Sequence, residues 1–233
     1  MIAIIPARGG SKGLPGKNIK VMNGKPLIWY TINVAKKSKF IDKIIVSTDD
    51  DKIAKISKSY GVEIPFIRPK ELARDDSLAI DNYIYTIDRL NKEFNYSIGE
   101  FVVLQPTSPL RTLLDIDNAI QIFREKKADS VISVSEVIHP PLWSKRINGK
   151  GLLRNYFDIS MGNKNRQEIE KAYMPNGAIF IFKYSLIKEK HSYYSNKTYP
   201  YIMPLERSID IDSKLDFEFA EYLIKKNARN KFL

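Results

Sequence analysis

Short apolar runs recur along this chain, and between them apolar positions return every three or four residues. The runs at 1–5, 43–47, 63–67, 101–104, 130–135 and 177–182 are mostly apolar, the character of strands covered on both faces. Helical spacing spans 26–37, 52–60, 79–93, 115–126 and 214–226; in the first of these, Leu27, Tyr30, Thr31 and Val34 share one side. Thr48-Asp49-Asp50-Asp51 supplies an Asx-rich turn that starts the second helix. This β-α-β-α order predicts an α/β fold whose mainly parallel sheet carries helices on both faces. Ligands of such sheets sit beyond the carboxyl ends of the strands, where the loop after residue 5, Asp49, Arg68 and Gln105 would meet.

The alternation breaks between 137 and 172. Pro140-Pro141, an Asn148-Gly149 turn and the polar run 162–167 predict an inserted hairpin and extended arm. Trp143, Leu152, Leu153, Tyr156 and Phe157 are too apolar for all to stay in water, so a subunit interface is expected to cover them. The chain thus divides into an α/β domain over 1–136 and 173–233 and a dimerisation segment over 137–172.

A chain of 233 residues can bury a sizeable core within one domain. It has no 18-residue apolar stretch and no basic-then-apolar leader, so neither a membrane span nor a signal peptide is expected. The absence of cysteine excludes disulfides and thiolate metal sites and fits a cytoplasmic protein. Only His139 and His191 are present, which argues against a His-based zinc centre or a Ser-His-Asp triad. The net charge of +11 comes from Lys spread through the helices among acids, without an RNA-binding aromatic signature. No nucleic-acid partner is expected; such a surface would instead steer anionic substrates.

The strongest local signal is Ile4-Ile5-Pro6-Ala7-Arg8-Gly9-Gly10-Ser11-Lys12-Gly13-Leu14-Pro15-Gly16-Lys17-Asn18. Glycines let the backbone approach a ligand and turn several N–H groups into one concavity. Arg8, Lys12 and Lys17 add charge suited to a triphosphate. The spacing is not Walker A, because five residues separate Gly10 from Gly16-Lys17 and Asn18 follows. A flexible basic hairpin is the plainer alternative, but the preceding strand favours a phosphate loop.

Ser208-Ile209-Asp210-Ile211-Asp212 is the second signal. Residues two apart in an extended chain share a face, so Asp210 and Asp212 would point together while Ile209 and Ile211 anchor the other side. Paired carboxylates suit Mg²⁺, which binds through one or two of them plus substrate phosphates. A solvent-facing strand followed by an Asp helix cap would also explain the pattern. A third segment, Gln105-Pro106-Thr107-Ser108-Pro109-Leu110-Arg111, is short, rigid and polar after a buried strand, and its amide and hydroxyls could read hydroxyl and acylamido groups.

Assembled, these segments resemble the CMP-sialic acid synthetases, also called acylneuraminate cytidylyltransferases. The resemblance covers nearly the whole length and rests on the 5–18 loop, Ile45-Val46-Ser47-Thr48-Asp49, Arg68-Pro69, Gln105 to Arg111, Pro175-Asn176-Gly177-Ala178-Ile179-Phe180 and Ser208 to Asp212. It implies a Rossmann-like three-layer nucleotidyltransferase fold and a homodimer formed through the inserted segment. The implied reaction transfers CMP from CTP to the anomeric hydroxyl of a nine-carbon 2-keto sugar acid, releases pyrophosphate and depends on Mg²⁺. By position, Arg8 and Lys17 would contact the triphosphate, and Ala7, Gly9, Gly10, Ser11, Lys12, Asn18, Arg68 and Ser77 would complete the nucleotide site. Gln105, Thr107, Ser108, Asn176 and, from the arm, Arg166 would approach the sugar. Asp210 and Asp212 would hold the metal, and Asp212 or a metal-bound hydroxide would take the proton. Met174 stands where the sialic acid enzymes carry Arg, a feature similar to relatives that activate legionaminic acid. After Arg68-Pro69 the family's hydroxyl-rich stretch is only partly present, as Asp75-Asp76-Ser77.

Two rival readings are distinct. A cytidylyltransferase for the eight-carbon acid Kdo, or a hexose-1-phosphate nucleotidyltransferase, would carry a different glycine loop and lack the arm. A non-catalytic nucleotide- or RNA-binding module would leave Asp210 and Asp212 dispensable.

Overall fold

A computed structural model describes residues 1–157 and 166–230. Six strands make the central sheet: β1 (Ile2–Pro6), β2 (Lys43–Ser47), β3 (Glu100–Val103), β4 (Ser130–Glu136), β5 (Tyr173–Lys183) and β6 (Thr198–Ile202). They lie in the order β6-β4-β5-β3-β1-β2. β1 pairs in parallel with β2 and β3, and β4 with β6, whereas β5 runs antiparallel between β3 and β4. The sheet is therefore mainly parallel, with one reversed strand in its interior.

Helices α1 (Leu27–Ala35), α2 (Asp51–Ser59), α3 (Ala79–Glu93), α4 (Leu113–Glu125), α5 (Tyr184–Lys190) and α6 (Lys214–Asn230) complete the layers. Alternation along each strand divides the core. Ala3 and Ile5 of β1 pack with Ile28 and Ile32 of α1, Ile53 of α2 and Ile120 of α4; Ile4 faces the other way, towards Ile80 and Ile87 of α3 and Ile187 of α5. Both faces are buried, which is why the strands read as continuous apolar runs. The Asp50 carboxylate caps α2 by accepting the Lys52 and Ile53 amides at 2.8 and 2.9 Å, as the Asx-rich turn predicts. Thr112 and Asp115 cap α4 reciprocally.

One expected strand is absent, and other segments differ from or add to the pattern. Residues 63–67 do not form a strand; Glu63 makes a single bridge to Ile45. Pro65 has no N–H for a ladder, and the chain turns away to hand the Arg68 amide to the Thr48 carbonyl at 2.7 Å. Residues 208–212 form no strand, and the segment is held by the Ile211 amide on the Thr107 carbonyl at 2.9 Å. The edge strand β6 and the seven-residue α5 were not legible, because Pro200 interrupts one and the other is too short to show a period. Between β4 and β5, Lys145–Ile147 pairs with Leu153–Asn155 as a hairpin around Asn148-Gly149, and Ile147, Leu152, Leu153, Tyr156 and Phe157 are exposed.

Candidate active site

Beyond the carboxyl ends of β1, β2 and β3 opens a crevice of about 380 Å³. Its walls come from the 6–18 loop, Arg68, the 72–77 segment, the first turns of α3, the Gln105–Thr107 turn and Asp212. Segments separated by up to 195 residues meet because parallel strands deliver all their following loops to one end.

The glycine loop supplies both cations and amides. Arg8, Ser11, Lys12, Lys17 and Asn18 line the crevice. Asn18 is buried and donates to the Arg8 carbonyl at 2.9 Å, closing the loop on itself. Ala7 lies in the core and its amide is taken by the Ser47 carbonyl at 2.9 Å. The Gly9 amide is taken by the Asp49 carboxylate at 3.0 Å, so neither residue offers the free N–H expected of it. Gly10 is exposed at the rim. Among the described residues the Ser11 and Lys12 amides meet no protein acceptor and remain available to an anion.

Lys17 joins the loop to the distant aspartates: its ammonium donates to the Ile211 carbonyl at 2.5 Å and lies 3.1 Å from the Asp212 carboxylate. Ile211 is buried against Leu14, Met22, Leu27 and Phe217, and this anchors the segment while Asp212 faces the crevice. Asp210 is not among the residues that line the crevice; it lies beside Gln105 and Gly177, where a Cβ added to Gly177 would meet oxygens of both at 3.2 and 3.3 Å. Burial pushes the Asp210 pKa up, the Asp212 and Asp216 charges add to that, and Thr107 and Lys17 oppose it.

Arg68 is buried, 3.6 Å from Asp49, with its Nε unpartnered; burial lowers its pKa. Ser77 lines the crevice and its hydroxyl donates to the Glu71 carbonyl at 2.6 Å. Gln105 and Thr107 also line it, with the Thr107 hydroxyl 3.4 Å from the Gln105 side-chain oxygen. Two expected sugar contacts are placed elsewhere. Ser108 is fully buried beneath its turn. Asn176 is buried and committed: its carboxamide accepts the Ser133 hydroxyl at 2.6 Å and donates to Ser208 at 2.9 Å, tying β5 to the aspartate segment. The expectation for the Arg166 side chain lies outside the described residues.

Asn82 and Tyr83 of α3 also line the crevice and were missed in the sequence. The Asn82 oxygen accepts the Ser47 hydroxyl at 2.9 Å, and the buried Tyr83 hydroxyl meets the Gln105 side chain. Two adjacent polar residues at the start of an otherwise apolar helix face were the available signal.

A crevice of this kind at the ends of parallel strands places the protein among α/β nucleotidyltransferases. The chain belongs to the cytidylyltransferase family, whose model matches residues 2–232. It is 36% identical over 232 residues to the CMP-N,N'-diacetyllegionaminic acid synthase of Legionella pneumophila, covering 97% of each chain. It is 37% identical over 233 residues to an N-acylneuraminate cytidylyltransferase of Escherichia coli O18:K1:H7, covering 99% of this chain but only 54% of that longer one. A pseudaminic acid cytidylyltransferase of Campylobacter jejuni is 30% identical over 234 residues, with 99% of each chain covered. The fold is shared with CMP:2-keto-3-deoxy-manno-octonic acid synthetase complexed with CTP, at a TM-score of 0.73 and 15% identity over 97% and 98% of the two chains.

Proposed function

We propose that the crevice binds CTP and transfers CMP to the anomeric hydroxyl of a nine-carbon 2-keto sugar acid. The observation that carries this reading is the meeting of Lys17, on the glycine loop, with Asp212, which sets a phosphate cation beside a metal-type carboxylate. Relatives named for legionaminic, N-acylneuraminic and pseudaminic acids support this acceptor class.

In the proposed reaction the sugar hydroxyl oxygen bonds to the α-phosphorus as the bond to the bridging oxygen breaks; the hydroxyl proton passes to the Asp212 carboxylate and pyrophosphate departs. Such transfers depend on positioning and on neutralising charge. Arg8 and Lys17 face the phosphates, the Ser11 and Lys12 amides supply donors, and Gln105 and Thr107 hold the acceptor on the opposite wall. Two carboxylates are a donor set that suits Mg²⁺, which takes its remaining ligands from phosphate oxygens and water. Burial first, and the neighbouring Asp212 and Asp216 charges after it, raise the Asp210 pKa, and a cation there would offset both effects. Asp210 and Asp212 would hold that ion, which would neutralise charge growing on the leaving pyrophosphate.

The exposed apolar hairpin supports assembly as a homodimer, and no helix among the described residues is long and apolar enough to cross a membrane. A cytoplasmic site of action fits this reading. The test is pyrophosphate release from CTP with N-acylneuraminic, legionaminic, pseudaminic and Kdo acids offered in turn. Turnover with a nine-carbon acid supports the reading, and turnover with Kdo alone overturns it. CTP binding without turnover on any acid would favour the non-catalytic module.

A further inference from the structure

The cations expected to meet the triphosphate already hold an anion of the protein's own. Lys12 Nζ lies 2.6 Å from the Asp75 carboxylate and Arg8 lies 3.0 Å from it. The Arg8 guanidinium also donates to the Arg74 carbonyl at 3.2 Å and the Ala73 carbonyl at 3.5 Å, so it is turned towards the 73–75 backbone. That segment is a preformed turn: a short helix covers Lys70–Ala73, and the Ser77 amide and hydroxyl bond back to Arg74 and Glu71. Asp75 is thereby presented to the crevice with two cations on its carboxylate, in the manner of a phosphate group. Neighbouring Asp76 makes no ion pair among the described residues.

We infer that Asp75 is a resident counter-anion: it pairs with Arg8 and Lys12 before nucleotide binds, competes with the triphosphate for both and is displaced by it, and recaptures both as pyrophosphate leaves. The inference rests on the triphosphate reading of the crevice. The pairing holds the Asp75 carboxyl below, and the Lys12 ammonium above, its ordinary range, so both stay charged at neutral pH. Solvent-exposed pairs of this kind are weak individually, which suits a group that must exchange on every turnover. A buried partner would block the nucleotide, and no partner at all would leave pyrophosphate bound too long.

The test measures calorimetric binding of inorganic pyrophosphate and of CTP to the full chain at low and high salt. Asp75→Asn is compared with Asp76→Asn, which removes the same charge from the same segment without removing a contact. The expected result is about three- to tenfold tighter pyrophosphate binding for Asp75→Asn, most of it lost at high salt, with a clearly smaller change for Asp76→Asn. Equal tightening by both variants would reduce the effect to net charge and overturn the inference. Weaker binding by Asp75→Asn would overturn it too, by showing that the carboxylate organises the cations instead of competing for them. If the wild-type chain bound neither ligand, the triphosphate reading would fail first and this inference with it.

Discussion

The ammonium of Lys17 and the carboxylate of Asp212 stand 3.1 Å apart across 195 residues of sequence, the lysine side chain 13% exposed and the aspartate 80%. The burial is unequal for a reason. Lys17 is fixed from below by the Ile211 carbonyl, while Asp212 projects into the opening and stays free to accept another cation. Lys17→Ala should therefore remove a positioned charge with only a modest loss of stability, about 1 kcal/mol for the lost hydrogen bond. Turnover should fall about 10²- to 10³-fold, the usual cost of deleting one preorganised electrostatic contact. Pyrophosphate release together with a melting curve checks both parts, and normal turnover would remove Lys17 from the chemistry.

Asp210 should show opposite effects on stability and activity. Its pKa is raised, so the folded chain holds this proton more tightly than the unfolded chain does. Ionising it costs stability as pH climbs from the ordinary carboxylate range through the raised value. Asp210→Asn should accordingly melt higher than the wild type at pH 7, with the gap closing near pH 3, where the carboxyl is protonated in both states. The same variant should lose its response to added magnesium. A variant that melts no higher at pH 7, or that keeps the wild-type metal titration, would contradict this account.

The sheet, most helices and the cationic loop could be read from the sequence because each depends on a local pattern. Ile4 between Ala3 and Ile5 shows a two-sided strand, and Asp50 before Lys52 shows a helix cap. The reversal of β5 was not readable, because strand direction is set by where a distant partner lies. The burial of Ser108 and Asn176 was not readable for a related reason: a polar residue in a site-like motif can equally satisfy the buried framework, and only its partners decide. The fully buried Ser108 and the Ser133–Asn176–Ser208 chain belong to that framework. Asp75, Asn82 and Tyr83 join the crevice through the fold of 68–83, which no repeat or period announces.

Gly13 and Gly10 should respond differently to the same substitution. A Cβ on Gly13 would stand 2.3 Å from the Asp212 carbonyl oxygen, whereas one on Gly10 meets nothing within 4 Å. The first contact is with backbone and cannot be relieved by a rotamer, so the loop must move away from the aspartate segment. A shift near 1 Å in a reacting site can cost about 100-fold. Gly13→Ala should thus lose at least about tenfold in kcat/KM while Gly10→Ala stays close to wild type. Equal kinetics for the two variants would show that the loop and Asp212 need not touch during turnover.

Arg111 supports from below the Gln105 turn, to which our proposal assigns the acceptor. Its guanidinium is buried and donates to the Ala178 carbonyl, to the Thr31 hydroxyl at 2.6 Å and to the Gln105 carbonyl at 3.3 Å. One side chain thereby joins α1, β5 and the turn that carries Gln105. Burial, opposed by the Asp115 charge, lowers its pKa to about 9, so this cation is held at a cost. Replacing it with Met removes that cost while taking a donor from the Ala178 carbonyl, a loss of about 1–3 kcal/mol, whereas the Gln105 carbonyl keeps the Thr31 hydroxyl and the Ser108 amide; the two effects offset in part. Arg111→Met should therefore remain folded, with Gln105 no longer fixed from behind. The expected signature is an acceptor KM raised about tenfold, a CTP affinity close to wild type, and only partial recovery in Arg111→Lys, whose single ammonium cannot span three acceptors. Equal losses for both substrates would mean that the whole sheet end has loosened, and the special link between Arg111 and Gln105 would have to be given up.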